Sequence, residues 1–227
     1  MKKKLNKHLL GIKYQLPFTY PSEIKRLIPK GSKILDIGCG DGYLMSWINV
    51  YGDFDVYGFD INRDDLALAK KRKCLLNPRK KVYRKITRAD LTKKLPNEKY
   101  DVVLSSQFVE HLDQKTALTL LSKLEKLSTK KVIIATINGF FQFNHRTAGK
   151  YDVHRSGWSF SDFEIRGYRV FGQGLRWVYI PGSFVESLPK FMRYPFYALS
   201  YLLSPLIRYS RNNSLLLIAV KDIMEHA

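Results

Sequence analysis

Residues 34–44 read ILDIGCGDGYL, an apolar run that ends in a turn holding Gly38, Gly40 and Gly42. A second apolar run, VYGFDI at 56–61, ends near Asp60. In an open sheet, ligands gather outside the carboxyl ends of the strands, where all of these groups fall. Gly38 lets the chain turn sharply out of its strand. Gly40, with no Cβ, lets a ligand approach the backbone closely. Gly42 permits tight packing where the next helix begins. Asp36 can accept a hydrogen bond from an ammonium group or from loop amides, and Asp60 can take both hydroxyls of a ribose. Together they outline a pocket for an adenosine-bearing cofactor. The spacing G-C-G-D-G departs from the G-x-G-x-x-G of dinucleotide sites. Asp41, at the expected helix start, would repel a pyrophosphate but not a sulfonium that carries an amino acid. S-adenosyl-L-methionine is therefore the expected cofactor.

Methyl transfer from a sulfonium asks a protein to align the nucleophile and to remove its proton. Histidine suits the second task because it titrates near neutrality. His111, in QFVEHLD, and His154, in the stretch NHRTAGKYDVHRSGWSFSDF at 144–163, are the candidate catalytic residues. Arg146 and Arg155 are candidates to hold a phosphate or carboxylate of the acceptor, and Trp158 to form an apolar wall. Each also has a plainer role open to it: His111 and Glu110 can begin a helix, and Trp158 can anchor a core. Residues 105–108 read SSQF and lack the N/D-P-P-Y/F pattern that grips a planar nitrogen. No acidic cluster suggests a divalent-metal site, so no metal is expected. Cys39 lies inside the glycine turn and Cys74 in a basic helix, which argues against a cysteine nucleophile and for a reducing compartment.

The elements that must position these residues alternate. Strands are expected at 33–38, 54–60, 82–87, 100–106, 131–137, 168–174 and 214–221. Helices are expected at 21–28, 41–50, 63–76, 116–127 and 161–166, the last capped by Ser161. Such alternation gives an α/β sheet covered by helices on both faces. The last two strands are separated by 175–212 instead of a crossover helix, which points to an antiparallel hairpin carrying an insert. The expected organisation is a basic lead-in and helix at 1–30, a core at 31–174 and 213–227, and an inserted helical cap at 175–212 with helices near 183–192 and 196–209.

Residues 34–44, 56–62, 89–91 and 100–112 resemble the class I S-adenosylmethionine-dependent methyltransferases, in particular the broad small-molecule type whose fourth strand leads into E-H-L. The resemblance is clear over about 31–140. It implies a Rossmann-like, seven-stranded mixed sheet with an antiparallel last strand. It places Asp36, Gly38, Cys39, Gly40 and Gly42 on the methionine side and Asp60 on the ribose. Ile61, Asp90 and Leu91 would meet the adenine, and Ser105 or Ser106, with Gln107, the methionine tail and the reacting methyl. The stretch HRSGWSFSDFEIRGYRVFG also resembles a pattern in bacterial and archaeal relatives of this fold, which names no substrate.

The chain of 227 residues has a formal net charge of +19. Residues 63–99 hold fourteen Lys/Arg against four acidic side chains, and 1–33 nine against one. This surface suits nucleic acid, an anionic membrane, an anionic small molecule, or plain solvation. Residues 175–212 are rich in aromatics, but no stretch long enough to span a bilayer is free of Pro, Arg or Lys. They suit a lid over an apolar substrate, a membrane-interface contact, a dimer contact or ordinary core. LLGIKYQL, near the start, is too short for the apolar core of a secretion signal. The leading expectation is a cytoplasmic enzyme, with peripheral membrane contact open, that methylates a small or lipid-like acceptor, anionic and partly apolar. The alternatives are an RNA methyltransferase using the basic face and a non-catalytic cofactor-binding or scaffold protein. Oligomeric state is not legible.

Overall fold

The computed structural model describes residues 16–141, 151, 153–180 and 182–223. Seven strands form one sheet: β1 (Lys33–Ile37), β2 (Asp55–Asp60), β3 (Lys85–Arg88), β4 (Tyr100–Ser106), β5 (Ser128–Ile137), β6 (Arg169–Leu175) and β7 (Ser214–Asp222). Their order is β3-β2-β1-β4-β5-β7-β6. The first five run parallel, and β7 is antiparallel to both β5 and β6. The order reverses between β1 and β4, and a crevice opens there at the carboxyl ends.

The central strands are apolar on both faces, as a covered parallel sheet requires. Leu35 and Ile37 of β1, Val103 of β4, and Val132 and Ile134 of β5 pack on one side. There they meet helix α4 (Gln114–Leu127), through Leu120, Leu121 and Leu124, together with Trp158 and Phe163. The intervening Ile34, Val102, Leu104, Ile133 and Ala135 point the other way. They pack with Ile24 of α1 (Tyr20–Leu27) and with Met45 and Ile48 of α2 (Tyr43–Ile48).

Three elements of the core differ in their bounds or caps in ways that packing explains. Helix α3 (Arg63–Ala69) is capped by Asn62, which accepts from the Asp64 amide, and ends well before residue 76. The run Lys70 to Lys73 concentrates like charge. Arg72 is drawn away to the Asp41 carboxylate, and the chain turns back through a Lys73–Lys81 bridge. Strand β3 begins only at Lys85: Val82 is buried in the core and Tyr83 packs beneath the glycine turn. Helix α5 (Phe160–Glu164) is capped by Ser159 instead of Ser161: the Ser159 hydroxyl accepts from the Asp162 amide, and the Asp162 carboxylate accepts from the Ser159 amide at 2.7 Å. This is a capping box.

Between β6 and β7 lie four short helices, α6 (Arg176–Tyr179), α7 (Phe184–Ser187), α8 (Tyr194–Leu202) and α9 (Ser204–Ile207), with a 3₁₀ turn at Lys190–Arg193. Pro195 and Pro205 fall in the first turns of α8 and α9, where a missing N–H costs nothing. The two short helices expected near 183–192 and 196–209 are therefore each divided into smaller pieces. These pieces share a small cluster of Leu175, Val178, Val185 and Ile207. An ion pair between Arg208 and Glu23 ties them to α1.

Candidate active site

Beneath the glycine turn lies a packed support. Gly38, Gly40 and Gly42 all have positive φ, at 68°, 50° and 73°. A Cβ on Gly38 would meet the Phe108 ring at 2.5 Å, and one on Gly42 the Tyr83 ring at 2.6 Å. A Cβ on Gly40 would meet no protein atom within 4 Å. Two of the glycines thus serve internal packing, and the third faces open space. The amides of Gly38 and Cys39 donate to the Phe59 carbonyl, at 2.9 and 3.1 Å.

Asp60 holds this turn from the end of β2. Its Oδ2 accepts from the Gly40 amide at 2.8 Å and its Oδ1 from the Asn62 amide at 2.8 Å. Asp36 is buried and accepts from the Tyr83 hydroxyl at 2.7 Å; among the described residues no loop amide donates to it. Burial pushes its carboxyl up to about 7. Asp41 is placed differently from expectation. Helix α2 starts at Tyr43, and the Asp41 carboxylate pairs with Arg72, so it does not stand as a bare charge at a helix start. The Cys39 thiol is pushed well up by burial, which removes it as a nucleophile.

A cavity of about 290 Å³ opens over this support. On one side it is lined by Gly38, Gly40, Asp60 and Ile61, and along the adjoining edge by Ala89, Asp90 and Leu91. On the other side stand Gln107, Phe108, His111, Leu112, Tyr151 and Arg155. The Asp90 carboxylate is held below the usual range by the hydroxyl and amide of Thr92, with Lys93 beside it. Gln107 has φ of 51°, and its side chain lies against the buried Tyr20 hydroxyl. Ser105 is fully buried and lies outside the lining; its hydroxyl has no partner among the described residues. The Ser106 hydroxyl bonds the Tyr20 hydroxyl at 2.6 Å.

The structure joins His111 and His154, whose rings meet edge-on with centroids 5.0 Å apart. His111 lies on a 3₁₀ turn (Val109–His111) just after β4 and lines the cavity. His154 sits one layer behind, its Nδ1 2.9 Å from the Phe141 carbonyl. Burial lowers its pKa, with a further contribution from His111. The backbone amide of Arg155 donates to the Glu110 carbonyl at 2.8 Å, which fixes the 153–156 segment against the turn after β4. Trp158 does not reach the cavity: it is 1% exposed, packs on Phe163, and donates from Nε1 to Ser156 Oγ. It is a core anchor. Arg146 lies outside the described residues.

Tyr83, Phe108, Tyr20, Tyr151 and Thr92 escaped the sequence reading. Only Phe108 and Thr92 adjoin recognised residues; the roles of the others come from packing.

The sheet order, the antiparallel β7 and the crevice together define the class I S-adenosylmethionine-dependent methyltransferase fold. Residues 35–131 match the family model described as a methyltransferase domain, so the chain carries such a domain. A TehB-like S-adenosylmethionine-dependent methyltransferase from Corynebacterium glutamicum is similar over 96% of this chain and 95% of its own, with a TM-score of 0.53 and 19% identity. Magnesium protoporphyrin IX methyltransferase from Synechocystis, solved with bound S-adenosylhomocysteine, covers 88% of this chain and 81% of its own, with a TM-score of 0.52 and 15% identity. At these identities the likeness is one of fold. The ubiquinone biosynthesis O-methyltransferase of Dechloromonas aromatica is 34% identical over 110 residues, 48% of this chain and 45% of that protein. The corresponding enzyme of Vibrio atlanticus is 34% identical over 113 residues, 49% and 46% of the two chains. The chain thus matches about half the length of these curated relatives.

Proposed function

We propose that this protein transfers a methyl group from S-adenosyl-L-methionine to a small-molecule acceptor. The observation that carries this reading is the cavity itself. One wall is a glycine turn with open space over Gly40, held by Asp60. The opposite wall is an imidazole with an arginine beside it. Gln107 lines the cavity between these walls. Asp60 and Ile61 would take the ribose and adenine, and Asp90 with Leu91 the adenine edge. Gln107 and the Gly38–Gly40 backbone would hold the methionine portion. Asp36 would act on that portion through the turn. The bound cofactor supplies a methyl group already activated on sulfur. The chain's own task is to bring the acceptor's nucleophilic atom and its proton against His111, with His154 behind it and Arg155 at the cavity mouth.

The acceptor we favour carries a hydroxyl on a partly apolar body. The curated relatives are O-methyltransferases of ubiquinone biosynthesis, and the region between β6 and β7 exposes much apolar surface. Phe184, Phe191, Leu202, Leu206 and Tyr209 are each at least 70% exposed, next to Lys190 and Arg193. That face suits peripheral contact with an anionic membrane holding a lipid-like acceptor. Among the described residues, no helix is long and apolar enough to cross a membrane. The test is the formation of S-adenosylhomocysteine from S-adenosylmethionine with a panel of hydroxylated aromatic and prenylated acceptors. Turnover with at least one is expected. No turnover across the panel by folded, cofactor-binding protein would overturn the acceptor class.

A further inference from the structure

A second cleft, of about 470 Å³, opens where β5 ends at Asn138, beside the segments that begin α5 and α6. Arg176, Arg211, Asn212, Ser159 and Ser161 line it, and Phe160 is its one apolar side chain. Among the described residues no carboxylate lines it. The acidic side chains of α5 are engaged elsewhere. Asp162 accepts from the Ser159 amide and hydroxyl, and Glu164 pairs with Arg211 through both oxygens at 2.9 Å.

Arg176 stands apart from the other arginines of this region. It is half-buried, and among the described residues no carboxylate pairs with it. Its guanidinium has one long contact, from Nη1 to the Asn138 carbonyl at 3.4 Å, and lies over the Phe141 ring, 4.9 Å from the centroid. A guanidinium is a planar fork of N–H donors with no acceptor. A single contact leaves most of that fork to the cleft, and withdrawing such a charge from water without a counter-charge is costly. The backbone holds both arginines in place. The Arg176 amide donates to the Asn213 carbonyl at 2.7 Å, and Asn138 Nδ2 donates to the Arg211 carbonyl at 2.6 Å.

We propose that this cleft binds a phosphate-class oxyanion through Arg176 and Arg211, and that the anion is a group carried by the methyl acceptor. An arginine fork matches two oxygens of one phosphate. Phe141 connects the cleft to the histidine pair. Its ring meets Arg176, its carbonyl meets His154 Nδ1 at 2.9 Å, and His154 packs edge-on against His111. An acceptor anchored on Arg176 is thereby held on the histidine side of the molecule, away from the glycine turn. The acceptor assignment rests on the methyl-transfer reading; the anion site itself does not.

The test titrates the whole chain with inorganic phosphate by calorimetry, at constant ionic strength and without cofactor. Saturable binding of one phosphate per chain is expected. Arg176→Gln should weaken it by at least about 10-fold, as the loss of charge-assisted hydrogen bonds does. Arg176→Lys, which keeps the charge and loses the fork, should fall between. Lys70→Gln removes an exposed charge just after α3 and should bind as the wild type does, which separates the cleft from the general attraction of a chain of net charge +19. In the wild-type protein, phosphate should protect Arg176 from phenylglyoxal, a readout that needs no variant. No saturable binding by folded wild-type protein, an equal loss in Lys70→Gln, or an unprotected Arg176 would overturn the cleft. So would a loss confined to Arg155→Ala, which would put the anion beside His111. The acceptor assignment is tested with two hydroxylated aromatic acceptors that differ only in a phosphate group. The phosphorylated one should have a KM at least about 10-fold lower, a preference that Arg176→Gln should abolish. Equal KM values, or no turnover of either by protein that binds S-adenosylhomocysteine, would overturn that assignment and leave the anion site standing. A folded chain that binds phosphate but not S-adenosylhomocysteine would overturn the methyl-transfer reading and, again, not the cleft.

Discussion

The two walls of the cavity are built by different means. The Gly38–Gly42 wall is made largely of backbone. Its amides are bonded to Asp60 and to the Phe59 carbonyl, and two of its glycines are pinned by the rings of Phe108 and Tyr83. The opposite wall is made of side chains, His111 and Arg155, with His154 behind, brought together by hydrogen bonds between the turn after β4 and the 153–156 segment. A backbone wall suits an invariant ligand such as a nucleoside. A side-chain wall can be re-tailored to a new acceptor without disturbing the other side. Substitutions should therefore separate into those that damage the scaffold, those that damage cofactor binding and those that touch only the acceptor side.

The largest expected effect tests whether Trp158 belongs to the scaffold. Trp158→Ala should cost roughly 3–5 kcal/mol, as large-to-small changes of buried aromatics do. Urea unfolding measures it; a near-neutral result would return Trp158 to the acceptor wall. Gly38→Ala comes next. The added methyl meets the Phe108 ring in a left-handed backbone, and overpacking with backbone strain sums to roughly 2–5 kcal/mol. Gly40→Ala carries only the backbone strain of about 1–2 kcal/mol, but its methyl enters the open space proposed for the cofactor. Calorimetry and denaturation on the pair should show stability falling most in the first, and affinity falling in the second beyond what its stability loss explains. Equal behaviour would erase the distinction between packing glycine and ligand glycine.

A smaller effect concerns pH. Burial raises the Asp36 carboxyl from the ordinary aspartate range to about 7. A group whose pKa is raised in the folded state contributes stability below its unfolded pKa, and that contribution is lost as pH rises through the folded value. Wild-type stability should therefore decline between about pH 4 and pH 7 through this group. Asp36→Asn keeps an acceptor for the Tyr83 hydroxyl and should flatten that decline. Denaturation midpoints across the range decide it; parallel profiles would show that Asp36 is ionised in the fold throughout.

The backbone wall was legible in the sequence because it is local. Gly38, Gly40, Gly42 and Asp60 sit at strand ends, where steric need and strand register fix their roles within a few residues. The sheet was legible for the same reason, since strands buried on both faces read as apolar runs. The partner of Asp36 was not legible: Tyr83 reads as part of a strand, and nothing local shows that its hydroxyl reaches under the glycine turn. Ser159 and Ser161 are equally plausible caps by type; the Asp162 side chain chooses between them. The His111–His154 pair was visible as two separate histidines. Their edge-on contact depends on how the turn after β4 meets the 153–156 segment.

The most direct test of the two-wall account is calorimetric titration with S-adenosylhomocysteine of the wild type, Asp60→Ala and Arg155→Ala. The wild type should bind. Asp60→Ala should lose roughly 1.5–3 kcal/mol, on the order of 10- to 100-fold in Kd, through its charged hydrogen bonds. Arg155→Ala, on the acceptor wall, should bind as the wild type does. No binding by folded wild-type protein, or equal losses in the two variants, would contradict the division of the cavity into a cofactor wall and an acceptor wall.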